Sequence, residues 1–226
     1  MFALFVCMKR NKRKDIVIID MGVGNLFSIQ KACAAVGLPA ILSSEASTIE
    51  DAGGLILPGV GAFGNAMNAL RRLNLISVLA GYRDSGRPVL GICLGMQLLM
   101  DYSDEFGRHK GLGYISGSVK SLRHEISGEI PHIGWSPVFN TERGKSWDNT
   151  LLHSFDNNDY QYFVHSYFVN PDNIDDTLAI TRYSGFSFCA VVHKDNVTGC
   201  QFHPERSGGA GLGIYKQWAV HSGLLP

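Results

Sequence analysis

The stretch VLGICLGMQ, residues 89–97, changes character at its centre. Its first half is made of aliphatic strand-forming residues, Cys93 stands in the middle, and helix formers follow from Leu94 onward. This pattern predicts a strand that turns sharply into a helix and presents Cys93 at the carboxyl end of the strand. Gly91 and Gly95 favour the same interpretation, because a β-carbon at either position would crowd so tight a turn.

A cysteine in such a turn is a candidate nucleophile. The turn holds its central residue in a strained backbone conformation, and the free N–H groups of the first helical turn favour a thiolate. The alternative is a buried cysteine in an ordinary strand–helix junction.

The segments around this junction indicate the fold class. Before it, apolar runs alternate with amphipathic stretches, which predicts a mostly parallel sheet with helices on both faces. The predicted strands there are IVIID, AILSS, GLILPG and PVLGIC, and the predicted helices cover 26–36, 63–72 and 76–83. After Gly111, turn residues mostly separate the runs SVKSL, YQYFVHSYFV, TLAITRY, FCAVVHK and NVTGCQF, which predict antiparallel strands before a closing helix over 210–220. The expected class is therefore α/β, with an antiparallel β extension.

A cysteine nucleophile needs a base, and His203 in GCQFHPERSG is the best candidate among eight histidines. It ends a predicted strand, Pro204 stops that strand, and the carboxylate of Glu205 can fix the tautomer of the imidazole. Cys93, His203 and Glu205 then form a candidate triad. His165, in YFVHSYF, competes as a core or site-lining histidine, but no carboxylate is placed to orient it.

Acyl transfer also needs donors for an oxyanion. The N–H of Leu94 follows the nucleophile directly, and a second donor can come from LPGVGAFG, residues 57–64, where glycines let the backbone approach a ligand. A glycine-rich turn before a helix is the alternative. Nucleotide binding is set aside, since the chain lacks a phosphate-binding GxxxxGK[ST] and a third glycine in register.

Composition narrows the class of protein. The chain has 226 residues, 45% of them hydrophobic, which suits one domain with a sizeable core. Lys plus Arg and Asp plus Glu are 20 each, so no overall charge favours nucleic acid or a membrane as partner. Five cysteines without a CxxC pair argue against a disulfide framework or a zinc site and suit a reducing cytoplasm.

The N-terminus is treated apart from the domain. Its apolar MFALFVCM precedes the basic KRNKRK, the reverse of a secretory signal, and is too short to span a bilayer. We expect residues 1–14 to form a solvated basic leader, which could contact an anionic surface, and residues 15–226 to form the domain.

The motifs together resemble a known family. GICLGMQ with a distant HPE is typical of class I, or triad, glutamine amidotransferases, and LPGVGAFG, PHIGW and YFVHSYF resemble the glutaminase subunit of imidazole glycerol phosphate synthase. The resemblance runs from about Ile16 to the C-terminus. Met21, Ser136 and Arg206 depart from the family, which usually has Tyr, Asn and Lys there.

The resemblance implies the amidotransferase fold and hydrolysis of L-glutamine to glutamate and ammonia, without a metal or cofactor. Cys93 would attack the side-chain amide and His203 would protonate the departing ammonia. The resemblance places the following residues around the oxyanion and substrate: Gly59, Val60, Gly61, Leu94, Gln97, His165, Ser166 and Tyr167.

The implied partner is a (β/α)₈ cyclase subunit in a cytoplasmic heterodimer. It would use the ammonia to make imidazole glycerol phosphate and aminoimidazole carboxamide ribotide in histidine biosynthesis. Candidate residues at this interface, by resemblance, are Asn25, Trp135, Tyr162 and Arg206, with ordinary surface or packing roles as the alternative.

Two other functions stay open. A paralogous glutaminase could supply ammonia for amidotransfer to a sugar in surface polysaccharide synthesis, which the departures at Met21, Ser136 and Arg206 allow. A non-catalytic interaction subunit is the third possibility, against which Cys93, His203 and Glu205 argue.

Overall fold

A computed structural model describes residues 15–22, 24–156 and 158–226. The predicted leader, residues 1–14, lies outside the described residues. No helix in the described ranges combines the length and apolar character needed to cross a bilayer.

Thirteen strands and six α-helices are numbered here in chain order within the described residues. The strands are β1 (Ile16–Ile19), β2 (Ala40–Ser43), β3 (Gly54–Leu57), β4 (Val89–Ile92), β5 (Tyr102–Ser103), β6 (His109–Lys110), β7 (Gly117–Ser121), β8 (His132–Asn140), β9 (Tyr160–His165), β10 (Tyr167–Pro171), β11 (Thr177–Tyr183), β12 (Phe186–Lys194) and β13 (Val197–Cys200). The helices are α1 (Leu26–Ala35), α2 (Ala46–Asp51), α3 (Phe63–Arg72), α4 (Leu75–Asp84), α5 (Leu94–Leu98) and α6 (Gly208–His221). Short 3₁₀ turns cover Leu122–His124, Ile174–Asp176 and Pro204–Arg206.

The central sheet has nine strands in the order β2-β1-β3-β4-β13-β12-β11-β8-β9. The first five are parallel, and the last four continue the sheet as antiparallel neighbours. A second sheet has the order β10-β7-β5-β6. The α/β class with an antiparallel extension is confirmed.

Helices cover both faces of the parallel half. Along β1 the side chains of Val17 and Ile19 pack into the core cluster that contains residues of α3 and α4, and Ile16 and Ile18 pack into the opposite cluster with α1 and α6. All four residues are buried, which explains why this strand is a continuous apolar run without alternation.

One strand has a second, parallel pairing that the sequence did not indicate. NVTGC was expected as an antiparallel strand, and it does form a hairpin with β12, but its other edge pairs in parallel with β4. In that register Cys200 lies opposite Ile92. The two chain segments that follow, one beginning at Cys93 and the other leading to His203, therefore emerge side by side at the carboxyl edge of the sheet.

The run YQYFVHSYFV was expected as one strand and is two. It breaks at Ser166, where β9 leaves the nine-stranded sheet and β10 joins the four-stranded one. Its first part pairs with β8, a strand that begins at the His132 of the motif PHIGW and that the sequence pattern did not predict. A long apolar run gives no sign of such a change of sheet, because both halves are strands with similar residues.

Candidate active site

Cys93 lies between β4 and α5 in a backbone conformation that few residues other than glycine adopt, with φ 52° and ψ −108°. Its N–H donates to the carbonyl of Cys200 on β13 at 2.8 Å. This bond ties the turn to the neighbouring parallel strand, which helps to hold the strained conformation.

The flanking glycines are required by close packing. A β-carbon on Gly91 would lie 2.8 Å from the backbone of Gly95, and one on Gly95 would overlap the carbonyl oxygen of Leu57. The crowding predicted from the sequence is confirmed, with one contact inside the turn and one to β3.

His203 and Glu205 form a buried pair beside this turn. The Nδ1 of His203 lies 2.8 Å from Oε1 of Glu205, and the hydroxyl of Tyr215 on α6 donates to Glu205 Oε2 at 3.4 Å. Because the carboxylate accepts, Nδ1 of His203 carries a proton and Nε2 is left for a reacting partner. Nε2 is buried and has no hydrogen-bond partner within the described ranges.

The electrostatics favour a charged imidazole. Burial alone would lower the pKa of His203, but the neighbouring Cys93 sulfur and then the Glu205 carboxylate raise it, to about 10. Around Glu205 the other groups stay neutral, since burial together with that carboxylate raises the pKa of Cys33 to about 12 and raises those of Cys200 and Tyr215. The arrangement can therefore hold a positively charged imidazole next to the Cys93 sulfur.

Gln201 is a contact of the thiol that the sequence analysis missed. Its Nε2 lies 3.6 Å from Cys93 Sγ, and its Oε1 accepts from Nε2 of Gln97 at 3.2 Å. The sequence could have indicated this contact. Gln201 and His203 are two residues apart on one extended segment, so their side chains share a face.

A cavity of about 330 Å³ opens at Cys93. Of the residues predicted around the oxyanion and substrate, the structure brings these to its wall: Val60, Gly61, Leu94, Gln97, His165, Ser166 and Tyr167. Gly59 lies behind them, where a β-carbon would be 2.9 Å from Cβ of Leu94. The cavity walls therefore bring together four separate segments of the chain, at residues 60–61, 93–97, 105–106 and 164–167.

Glu105 also lines this cavity and was not predicted. It is buried, and its Oε2 accepts from the N–H of Phe63 at the start of α3 at 2.6 Å. No motif marks this carboxylate, which lies in the loop after β5 where that loop meets the start of α3.

The candidate oxyanion loop has the freedom that its sequence suggested. Gly61 has φ 111°, and a β-carbon there would meet nothing within 4 Å. A β-carbon on Gly24, just before α1, would lie 3.9 Å from both Gly59 Cα and the Val60 nitrogen. The loop that precedes Asn25 therefore touches the candidate oxyanion loop.

The four candidate interface residues fall into two places. Asn25 is exposed and caps α1, where its side chain accepts from the N–H of Ser28 at 3.4 Å. The other three are in contact, with the Arg206 guanidinium 4.2 Å over the Tyr162 ring and that ring 6.0 Å from Trp135. The carbonyl of Tyr162 accepts from the N–H of His203 at 2.8 Å, so this cluster adjoins the candidate base.

Comparisons with known proteins agree with this geometry. Residues 17–219 match the family model "Glutamine amidotransferase class-I". The chain is 44% identical over 208 residues to "Imidazole glycerol phosphate synthase subunit HisH 1" of Legionella pneumophila (strain Lens), covering 90% of this chain and 98% of the relative. It is 41% identical over 203 residues to the HisH subunit of Prochlorococcus marinus (strain NATL2A), covering 90% and 94%.

Solved structures show the same fold at low identity. A crystal structure of a glutamine amidotransferase superimposes with a TM-score of 0.71 at 15% identity, covering 92% of this chain and 98% of the other. The acivicin-bound glutaminase domain of Trypanosoma brucei CTPS gives a TM-score of 0.64 at 16% identity, covering 92% and 94%. With its family match over nearly its whole domain, this chain belongs to the class I glutamine amidotransferases, among the relatives of the HisH subunits of imidazole glycerol phosphate synthase.

Proposed function

We propose that this chain is the glutaminase subunit of an imidazole glycerol phosphate synthase and hydrolyses L-glutamine to glutamate and ammonia for a (β/α)₈ cyclase subunit in histidine biosynthesis. The observation that carries the chemistry is Cys93, held at φ 52° on its turn beside the buried His203–Glu205 pair. The observation that carries the pathway is the identity of 40–44% to HisH subunits over almost their full length.

The first half-reaction forms a thioester. The Cys93 thiolate attacks the side-chain amide carbon of glutamine, and the carbonyl oxygen becomes an oxyanion. The N–H groups of Leu94 and of the Gly59–Gly61 loop are the proposed donors to that oxyanion. The tetrahedral species collapses as the C–N bond breaks, the imidazolium of His203 gives its proton to the departing nitrogen, and ammonia leaves.

The second half-reaction restores the enzyme. His203, now neutral, takes a proton from water as the water oxygen attacks the γ-glutamyl thioester. The C–S bond breaks, glutamate leaves, and Cys93 returns to the thiolate paired with the His203 imidazolium. Glu205 stays ionised throughout and holds the imidazole in position.

The α-ammonium and α-carboxylate of glutamine need partners at the far end of the cavity. The NH₂ group of Gln97 is engaged by the carbonyl of Tyr167 at 2.8 Å and by Gln201, which leaves its Oε1 to accept from the ammonium. The carboxylate of Glu105 supplies the matching negative charge. Backbone N–H groups at the Ser166 bend are the proposed donors to the substrate carboxylate.

The edge of the nine-stranded sheet suits the partner. Ile133 and Trp135 on β8 and Tyr160 on β9 are large hydrophobic side chains that are more than half exposed. Arg206 and Tyr162 lie next to Trp135, and the carbonyl of Tyr162 accepts from the N–H of His203, so an apolar patch with one cation adjoins His203. Aromatic residues and arginine are the types that bind most strongly at the centre of protein interfaces. The free thiols of Cys33, Cys93, Cys189 and Cys200 suit a cytoplasmic complex.

The test measures glutamine hydrolysis by the purified chain, by the chain with the cyclase subunit, and by that complex with its acceptor nucleotide. We expect slow hydrolysis by the chain alone and a rise of about 10²–10³-fold in the full complex, the range that one oxyanion donor supplies. Activation by a sugar-modifying synthase instead would move the function to the polysaccharide pathway. No hydrolysis in any complex would refute the enzyme assignment.

A further inference from the structure

Two buried histidines next to the cavity belong to one directed chain of hydrogen bonds. The Nδ1 of His165 lies 2.9 Å from the carbonyl oxygen of Tyr167, which can only accept, so Nδ1 carries the proton. In a neutral imidazole Nε2 is then an acceptor, and it lies 3.2 Å from Nδ1 of His132. His132 must therefore donate through Nδ1, and its Nε2, 2.9 Å from Ser136 Oγ, accepts from that hydroxyl.

The surroundings keep this chain neutral. His132 is 1% exposed and His165 is 6% exposed. Burial lowers the pKa of His132 to about 4. Burial, and after it the electrostatic effect of the neighbouring His132, lowers the pKa of His165 to about 3. The ring of His132 is also stacked on those of Tyr183 and Phe163, with centroids 4.1 Å and 5.0 Å away. The direction of the bonds and the position of the ring are thus both determined.

The chain ends at the wall of the cavity. The carbonyl of Tyr167 accepts from His165 and from Gln97, and it lies just after the bend at Ser166 where the backbone passes from one sheet to the other. Before the bend, the Val164 carbonyl faces Cys93 Sγ at 3.9 Å. Both carbonyls and the bend between them border the space for glutamine.

We propose that His132 is a positioning residue for glutamine, which holds His165 and through it the Val164–Tyr167 wall of the cavity. The proposal rests on the proposed glutaminase function and names a residue remote from the reacting atoms. A displacement of about 1 Å at such a wall is enough to weaken the alignment of substrate. Loss of these hydrogen bonds should therefore weaken glutamine binding.

The outer face of β8, the strand that carries His132, is part of the surface proposed for the partner. Residues alternate along β8, so His132 and Ser136 point inward while Ile133 and Trp135 point outward and are 59% and 53% exposed. A partner that binds the outer face would therefore press on the strand from which His132 and Ser136 reach inward. The residue that holds the glutamine wall and the surface proposed for docking of the synthase therefore lie on the same strand, β8.

The experiment compares four variants in complex with the cyclase subunit. His132→Phe keeps an aromatic ring between Tyr183 and Phe163 but makes no hydrogen bond. His132→Asn can place an amide N–H near the Nδ1 position and so keep the donation to His165. Ser136→Ala removes only the far end of the chain. Gln161→Met is the matched control, because Gln161 lies opposite Ser136, is fully buried and has an amide without partners in the described part of the chain.

The expected result is a change in KM for glutamine. We expect His132→Phe to raise KM by about tenfold or more with kcat changed by less than about threefold, and His132→Asn to fall between it and the wild type. Ser136→Ala should raise KM by about two- to fivefold and Gln161→Met should leave it unchanged. Alkylation of Cys93 by iodoacetamide should be equally fast in all of them, because the triad is untouched.

Three outcomes would overturn the proposal. They are an unchanged KM in folded His132→Phe, a fall in kcat alone, and an equal effect of Gln161→Met. If His132→Phe does not fold, an unchanged KM in Ser136→Ala overturns it as well. Failure of the proposed function looks different, because the wild-type complex itself would then not hydrolyse glutamine.

Discussion

At the level of single residues, the site depends on one strained backbone position and one buried charge pair. Cys93 has φ 52°, and its strain is held by the hydrogen bond to Cys200 and by close packing at Gly91 and Gly95. Glu205 is buried with no solvent to stabilise its charge, so its energy depends on His203. The imidazole of His203 is therefore already held in its orientation before the substrate reacts.

His203 and Glu205 are expected to contribute unequally to the rate. In His203→Ala glutamine turnover should fall by about 10³-fold or more, because the acid and base are lost together. In Glu205→Gln the fall should be smaller, since the base remains and only its orientation and charge stabilisation suffer. Steady-state glutamine hydrolysis by each complex measures both. A larger loss in folded His165→Ala than in His203→Ala would show that the wrong histidine was assigned.

Single residues also show which parts of the site could be predicted from the sequence. Cys93, His203 and Glu205 were predictable, because each stands in a local pattern whose geometry is nearly independent of the rest of the fold. Glu105 was not predictable, since nothing near it in sequence indicates that the loop after β5 brings it to the start of α3. His132 was also missed, because its role depends on a hydrogen bond to His165, a residue 33 positions later on the neighbouring strand.

At the level of elements, the β4–α5 turn depends on its contact with β3. Gly95→Ala should reduce the free energy of unfolding by several kcal/mol, because the new β-carbon would overlap the Leu57 carbonyl and the backbone cannot yield easily. Gly81→Ala is the matched control in an exposed position of α4, where nothing lies within 4 Å, and should be neutral or stabilising by about 1 kcal/mol. Urea unfolding of both variants measures the difference. Equal stabilities would mean that the turn is not as closely packed as the structure indicates.

The β8–β9 pair is expected to make stability depend on pH. The folded-state pKa values of His132 and His165, about 4 and about 3, lie below the ordinary value of 6.5, so the unfolded chain binds protons that the folded one does not. Stability should fall as pH drops from about 6.5 toward 4, by up to about 1.4 kcal/mol per pH unit for each histidine. His203 has the opposite sign, since its raised pKa gives stability that is complete below pH 6.5 and lost as pH rises through about 10.

Unfolding free energies at pH 7, 6 and 5 test the acid side. His132→Phe should show a shallower fall with decreasing pH than the wild type. His124→Gln, a change at an exposed histidine, should behave like the wild type. Identical slopes in all three proteins would contradict the assignment of His132 as a buried neutral group.

Elements of the parallel half were easier to predict than those of the extension. Helices of the first half have a periodic apolar face, and buried parallel strands are short apolar runs, so both types have strong local signals. The extension contains β8, where Gly134 and Pro137 interrupt the strand pattern, and the bend at Ser166, where one apolar run serves two sheets. Pairing partners rather than local sequence decide these elements.

At the level of the whole molecule, one end of the sheet gathers everything the proposed reaction needs. The carboxyl edge of the parallel strands carries Cys93, the extension carries His165 and the Ser166 bend, and the outer strands carry the exposed Ile133 and Trp135. The fold thus places the cavity beside an apolar patch suited to a partner.

The most direct test of the central claim compares two nitrogen sources in the complex with the cyclase subunit. With Cys93→Ala, glutamine-dependent synthesis should fall by about 10³-fold or more while ammonia-dependent synthesis stays within about twofold of wild type, because only the thiolate is lost. Cys189→Ala, a buried cysteine away from the cavity, should affect both sources equally and only through packing. Glutamine-dependent activity of Cys93→Ala within about tenfold of wild type would contradict the account.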